Sequence, residues 1–145
     1  MYNNTFKKMT ITDQDNMFAV DIQASALKSS FINIGTVSVR NTTNNFVATK
    51  LDWSSYKNMV LRVSNSHNQP VTLTFQTQDF GDMRDIAGNP ISVTIPAGAL
   101  EVIITSKELF ILNQPKAKQI ALKATAATAP TSGNIVVDAY TEPYI

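Results

Sequence analysis

The chain has no cysteine, one histidine and one tryptophan, and each scarcity removes a class of chemistry. Without cysteine there is no disulfide, no thiolate metal site and no cysteine nucleophile. His67 lies between Ser66 and Asn68 in a polar stretch, where it reads as a solvent-exposed turn residue. With no glutamate motif beside it, a single histidine cannot build a zinc site of the common kinds. Charged residues make up only 16% of the chain and the formal net charge is +1. The clustered basic excess that marks a nucleic-acid binder is therefore missing, and Lys7–Lys8 and the Lys116/Lys118 pair are too small to supply it. No apolar run approaches the roughly 20 residues needed to cross a bilayer, so a membrane is not an expected partner. The opening stretch Met1–Lys8 lacks the apolar core of a secretory signal, and export by the general route is not expected.

What remains is a chain of 145 residues, 43% hydrophobic, long enough for one domain that buries roughly two thirds of its unfolded surface without staples. From residue 31 onward the texture is that of short strands. Met59, Leu61 and Val63 alternate with polar residues, and after the turn-rich Ser64–Pro70 stretch Val71, Leu73 and Phe75 repeat the beat against Thr72, Thr74 and Gln76. This period of two predicts a half-buried antiparallel hairpin over Asn58–Gln78. Ile91, Val93 and Ile95, then Leu100, Val102 and Ile104 around Pro96-Ala97-Gly98, predict a second. Ile32 to Val39, Phe46–Leu51, Glu108–Leu112, Ile120 to Ala124 and Ile135 to Ala139 complete eight or nine strands separated by Gly, Pro and Asn turns. That order predicts an all-β fold, an antiparallel sandwich or jelly roll, and not alternating β and α units. Residues 1–30 are less regular and form an N-terminal arm or a short helix, for which Thr12 followed by Asp15 offers a capping box. The sandwich domain spans 31–145.

Constellations able to carry a reaction are thin. Ser54 and Ser55 lack the glycine pattern of a nucleophile elbow. The loop with Asp79, Asp82, Asp85 and Asn89 holds oxygens of the kind calcium takes, but its spacing departs from the EF-hand and Arg84 stands among the acids as a counter-charge, so it reads as a solvated loop. No catalytic, cofactor-binding or metal-binding residue is assigned. Two apolar features call for a partner or a cover. The termini carry isolated anchors, Tyr2, Phe6 and Met9 at one end and Tyr140, Tyr144 and Ile145 at the other, which can dock on a neighbour or fold back over their own sandwich. Val60, Ile103 and Val136 are apolar on faces otherwise polar, which calls for a second sheet, a terminal segment or a subunit over them.

Two resemblances follow from these residues. Leu51-Asp-Trp-Ser-Ser-Tyr-Lys-Asn-Met-Val-Leu-Arg-Val-Ser-Asn65, about a tenth of the chain, is similar to a stretch of galactose-binding-like and carbohydrate-binding sandwich domains. It implies a glycan partner contacted by Trp53 and Tyr56; the alternative is a Trp53 buried in the core with its indole N–H paired. The second resemblance runs from Phe46 to Tyr140, roughly two thirds of the chain. Its Met59–Phe75 strand pair, Ile91-Ser-Val-Thr-Ile-Pro-Ala-Gly98 and Gly133-Asn-Ile-Val-Val-Asp138 resemble, in order and texture, small jelly-roll structural proteins of tailed bacteriophages, the head-decoration, head-fibre and tail-associated proteins. It implies a single antiparallel β-sandwich of jelly-roll type, a non-enzymatic accessory protein of the virion assembled in the host cytoplasm. Its partners would be capsid or tail proteins and further copies of itself in a homo-oligomer.

Overall fold

The alternation of apolar and polar residues becomes an alternation of burial. In a computed structural model that describes residues 30–116 and 118–143, eight strands form: β1 (Ser30–Val37), β2 (Asn45–Leu51), β3 (Tyr56–Asn65), β4 (Val71–Gln76), β5 (Ser92–Ile95), β6 (Val102–Ile104), β7 (Ile120–Thr125) and β8 (Ile135–Pro143). They make two four-stranded antiparallel sheets, β1-β8-β3-β6 and β2-β7-β4-β5, packed as a β-sandwich. Met59, Leu61 and Val63 from the first sheet and Val71, Leu73 and Phe75 from the second are all buried. They join Ile135, Val137 and Ala139 of β8 and Leu122 and Ala124 of β7 in one core. The helix considered for residues 12–27 lies outside the described residues. Glu108–Leu112, expected as a strand, gives instead a single 3-10 turn at Phe110–Asn113, which places Leu109, Ile111 and Leu112 in the core.

The pairing overturns both expected hairpins. β3 and β4 lie in different sheets, as do β5 and β6, so the Ser66–Pro70 and Pro96–Glu101 connections are arches over the core. A hairpin and an arch leave the same mark on a sequence, because either way each strand turns one side to the core, and period two records only that. Only β4 and β5 are consecutive strands of one sheet. The ladders β1–β8, β2–β7, β3–β6 and β4–β5 describe one long antiparallel ribbon rolled up on itself, closed by β3–β8 and β4–β7.

The outer faces of the two sheets are treated differently. On the second sheet, Thr74 and Gln76 of β4 point outward yet are buried, because the 77–91 loop folds back over them. Gln76 Nε2 donates to the Phe80 carbonyl and to Asp82 Oδ1, the Met83 N–H reaches the Phe75 carbonyl, and Phe80 packs edge-on against Phe46 with centroids 5.4 Å apart. Lys123 Nζ of β7 lies 2.7 Å from Asp82 Oδ1. The Lys123 ammonium and then the Gln76 amide hold the Asp82 carboxyl below its ordinary 3.8, so the ion pair's contribution is present above that value and lost as pH falls below it. Because the pair is mostly shielded from water, Lys123→Met is expected to cost about 1–2 kcal/mol. Hydrogen exchange should quicken first at the Met83 and Ile91 amides; unchanged protection there would show that Lys123 does not anchor the loop.

Candidate interaction surface

The first sheet leaves its outer face bare among the described residues. On β8, Ile135, Val137 and Ala139 point inward, so Val136, Asp138 and Tyr140 point out. Register then fixes their neighbours. Phe31 of β1 stands opposite Tyr140, which in turn faces Val60 of β3. One row along, Asn33, Asp138, Arg62 and Ile103 follow each other across all four strands. Phe31 and its neighbour Tyr140 are 51% and 40% exposed, and Ile103, at the opposite edge of the same sheet face, is 51% exposed, a large apolar share for one face.

These side chains are held by one another. The Phe31 and Tyr140 rings lie 5.5 Å apart at 58°. The Arg62 guanidinium carbon sits 5.0 Å from the Phe31 centroid and 5.9 Å from that of Tyr140, within cation–π range. Its Nη2 is 3.1 Å from Asp138 Oδ2, and Asn33 Nδ2 donates to Asp138 Oδ1 at 2.8 Å. The hydrogen bond to Asp138 raises the Arg62 pKa further above its usual value, so the positive charge is permanent. Asn58 Nδ2 donates to Glu142 Oε1 and extends the polar rim. Two aromatic rings, an arginine locked by a carboxylate and an isoleucine are the residue types that anchor protein interfaces: they bring large contact area with little rotamer entropy left to lose. The arrangement offers contact and hydrogen bonding, with no nucleophile set against a base.

Of the residues singled out in the sequence, Tyr140 belongs to this face. Tyr2, Phe6, Met9, Tyr144 and Ile145 lie outside the described residues. Val60, Val136 and Ile103, the apolar positions on polar faces, prove to share this one surface. They were its legible trace, whereas Phe31, Arg62 and Asp138 join it only through strand register. Of the two readings of Trp53, the structure bears out burial in the core and not the sugar platform. The side chain is fully buried, its ring edge-on to Phe75 at 5.4 Å and its indole N–H donated to the Ile120 carbonyl at 2.8 Å, so it offers no face to a sugar. Tyr56 is half-buried and packs against the same core. In the Asp79–Asn89 loop two of the three carboxylates are already engaged, Asp82 with Lys123 and Gln76 and Asp85 Oδ1 accepting from the Ala87 and Asn89 N–H groups, while Asp79 is exposed. No three His, Asp or Glu side chains among the described residues stand close enough together to hold a metal ion.

His67, expected as a solvent-exposed turn residue, is instead buried at the end of the sandwich where four connections meet. Its Nε2 accepts the Val39 N–H at 3.0 Å. Nδ1 therefore carries the proton and donates to Asn65 Oδ1 at 2.7 Å. Asn65 in turn donates to the carbonyls of Gln69, Ile95 and Pro96, while the Gly98 N–H reaches the His67 carbonyl. Burial, and secondarily the Arg40 charge, push the imidazole below its ordinary 6.5. The ring is a neutral structural bridge.

Among the described residues no helix is long and apolar enough to cross a membrane. The chain matches no family model, and neither the curated proteins nor the solved structures contain one similar to it.

Proposed function

We propose that this protein is a non-enzymatic structural module that docks on other proteins, and on copies of itself, through the outer face of the β1-β8-β3-β6 sheet. The supporting observation is the contrast between the two outer faces: one is closed by the chain's own 77–91 loop and an ion pair, while the other presents Phe31, Tyr140 and Ile103 around a fixed Arg62–Asp138 pair. The pairing β1–β8, β2–β7, β3–β6, β4–β5 supports reading the sandwich as a jelly roll, an architecture used by viral capsid domains. With the strand order and turns that resemble head-decoration, fibre and tail-associated proteins, it favours an accessory component of a bacteriophage virion, assembled in the host cytoplasm on capsid or tail proteins. A carbohydrate-binding role through Trp53 and Tyr56 lacks the exposed indole it requires.

The test is a double variant, Phe31→Ser with Tyr140→Ser. Light scattering of the native chain should give a mass above the 15.9 kDa of one copy, and the protein should co-sediment with phage heads or tails. Since both side chains are exposed, the double variant should keep its unfolding free energy within about 1 kcal/mol. Its association should weaken by about tenfold to a hundredfold, as loss of interface anchors does. A native chain that is monomeric and binds neither heads nor tails overturns the reading.

A further inference from the structure

We propose that the cavity between the 3-10 turn and the start of the 77–91 loop is a binding site for a small apolar carboxylate, with the ligand's headgroup on Lys116 Nζ. The cavity measures about 280 Å³; Ile111, Ile120 and Met83 form its floor, and Thr77 and Pro115 its rim. Ile111 and Ile120 are buried, whereas Thr77 and Pro115 are exposed, so the apolar floor is reached from solvent past a short rim. An engineered cavity of about 150 Å³ is enough to hold benzene. The volume here suits an aromatic ring with its substituent, or a chain of roughly eight carbons.

Lys116 sets the headgroup. It lines the cavity and is only 7% exposed, among the rarest residues to be buried without a partner of opposite charge. Its ammonium donates to the Gln114 carbonyl at 2.7 Å and to the Leu112 carbonyl at 3.4 Å, and it makes no ion pair among the described residues. Two carbonyls use two of its three N–H donors and, among the described residues, leave the charge uncompensated. Burial accordingly pushes its pKa down. A carboxylate entering the cavity supplies the missing counter-charge and acceptor, while its hydrocarbon body covers the isoleucines. A neutral alcohol of the same length brings an acceptor and the apolar cover but no counter-charge, and an alkylammonium meets like charge.

The probes are octanoate and 1-octanol, followed through the methyl NMR signals of Met83, Ile111 and Ile120. Octanoate is expected to shift these signals and to bind at least about tenfold more tightly than octanol, the difference a charge-assisted hydrogen bond supplies. Lys116→Met, which keeps the apolar stem, should bring the two affinities together by weakening octanoate alone. The proposal is overturned if neither probe shifts those methyls, if octanol binds the native protein as tightly as octanoate, or if Lys116→Met leaves octanoate binding unchanged. Should the variant not fold, the comparison of the two headgroups on the native protein decides the matter.

Discussion

Trp53→Ala should remove about 3–5 kcal/mol of unfolding free energy, the range for deleting a large aromatic side chain from a core, against a total of only about 5–15 kcal/mol for a domain of this kind. The residue stands in the corner between β2 and β3, fully buried, and it ties that corner to both neighbouring strands of the second sheet. Its ring meets the Phe75 ring of β4 edge-on, and its N–H satisfies the carbonyl of Ile120 at the head of β7. Alanine leaves a cavity between these strands and a buried carbonyl without its donor, two costs that add. Trp53→Phe separates them: it refills most of the space, and its residual loss of about 1–2 kcal/mol reports the lost hydrogen bond. Leu61→Ala and Leu73→Ala, one on each sheet and each fully buried, should cost about 2–5 kcal/mol by the cavity argument alone. Urea denaturation measures all four, and a loss for Trp53→Ala below about 1.5 kcal/mol would mean that the core collapses around the gap.

These residues also mark how far the sequence could be read. The inward positions of β3, β4, β7 and β8 were legible, because one-sided burial writes a period of two into the chain. Which strands pair was not, since an arch across a sandwich and a hairpin within a sheet demand the same alternation. β4 shows a further limit: Thr74 and Gln76 look like a solvent face, yet they are covered by the 77–91 loop through Gln76, Phe80 and Asp82. A polar side chain buried under a loop is indistinguishable in sequence from one in water, even though only the Gln76 amide nitrogen finds partners among the described residues and its Oε1 finds none. The outer face of the first sheet was half legible. Val60, Ile103 and Val136 stood out as apolar where polar residues belonged, but the cluster becomes a surface only when register sets Phe31 opposite Tyr140 and Arg62 opposite Asp138. His67 was misplaced for the same reason as the hairpins. In a hairpin its loop would be a tip in solvent, whereas in an arch that loop closes one end of the core.

His67 then supplies a stability switch that can be isolated, because it is the only histidine in the chain. The folded imidazole is held below its ordinary 6.5 by burial and by Arg40, the one charged group among the described residues that acts on it. The Ser66–Pro70, Pro96–Ala99 and Ala126–Asn134 segments that meet there carry no other titratable side chain. A depressed histidine pKa means that the unfolded chain takes up the proton first. Its stabilising contribution is complete above pH 6.5 and declines as pH falls below that value, by up to about 1.4 kcal/mol per pH unit until the folded pKa is reached. Protonation would set an Nε2–H against the Val39 N–H, two donors where one bond had been. The shifted carboxylates of Asp52, Asp82 and Glu108 titrate below their ordinary 3.8 or 4.5, outside the interval from pH 6.5 to 5 in which His67 acts, and the His67→Phe variant isolates its share of the slope there. In His67→Phe that share should vanish. Stability at pH 7 should fall by about 2 kcal/mol, because the buried Val39 N–H loses its acceptor. Gly133→Ala attacks the same junction from the connection before β8: with φ at +84° its added Cβ would run into the Ser66 carbonyl and the His67 N–H, at a cost of about 2 kcal/mol or more. Since both substitutions disturb one junction, their effects should not add. An unfolding free energy that is flat from pH 7 to pH 5 in the native chain, or equally sloped in His67→Phe, would remove His67 as the group responsible.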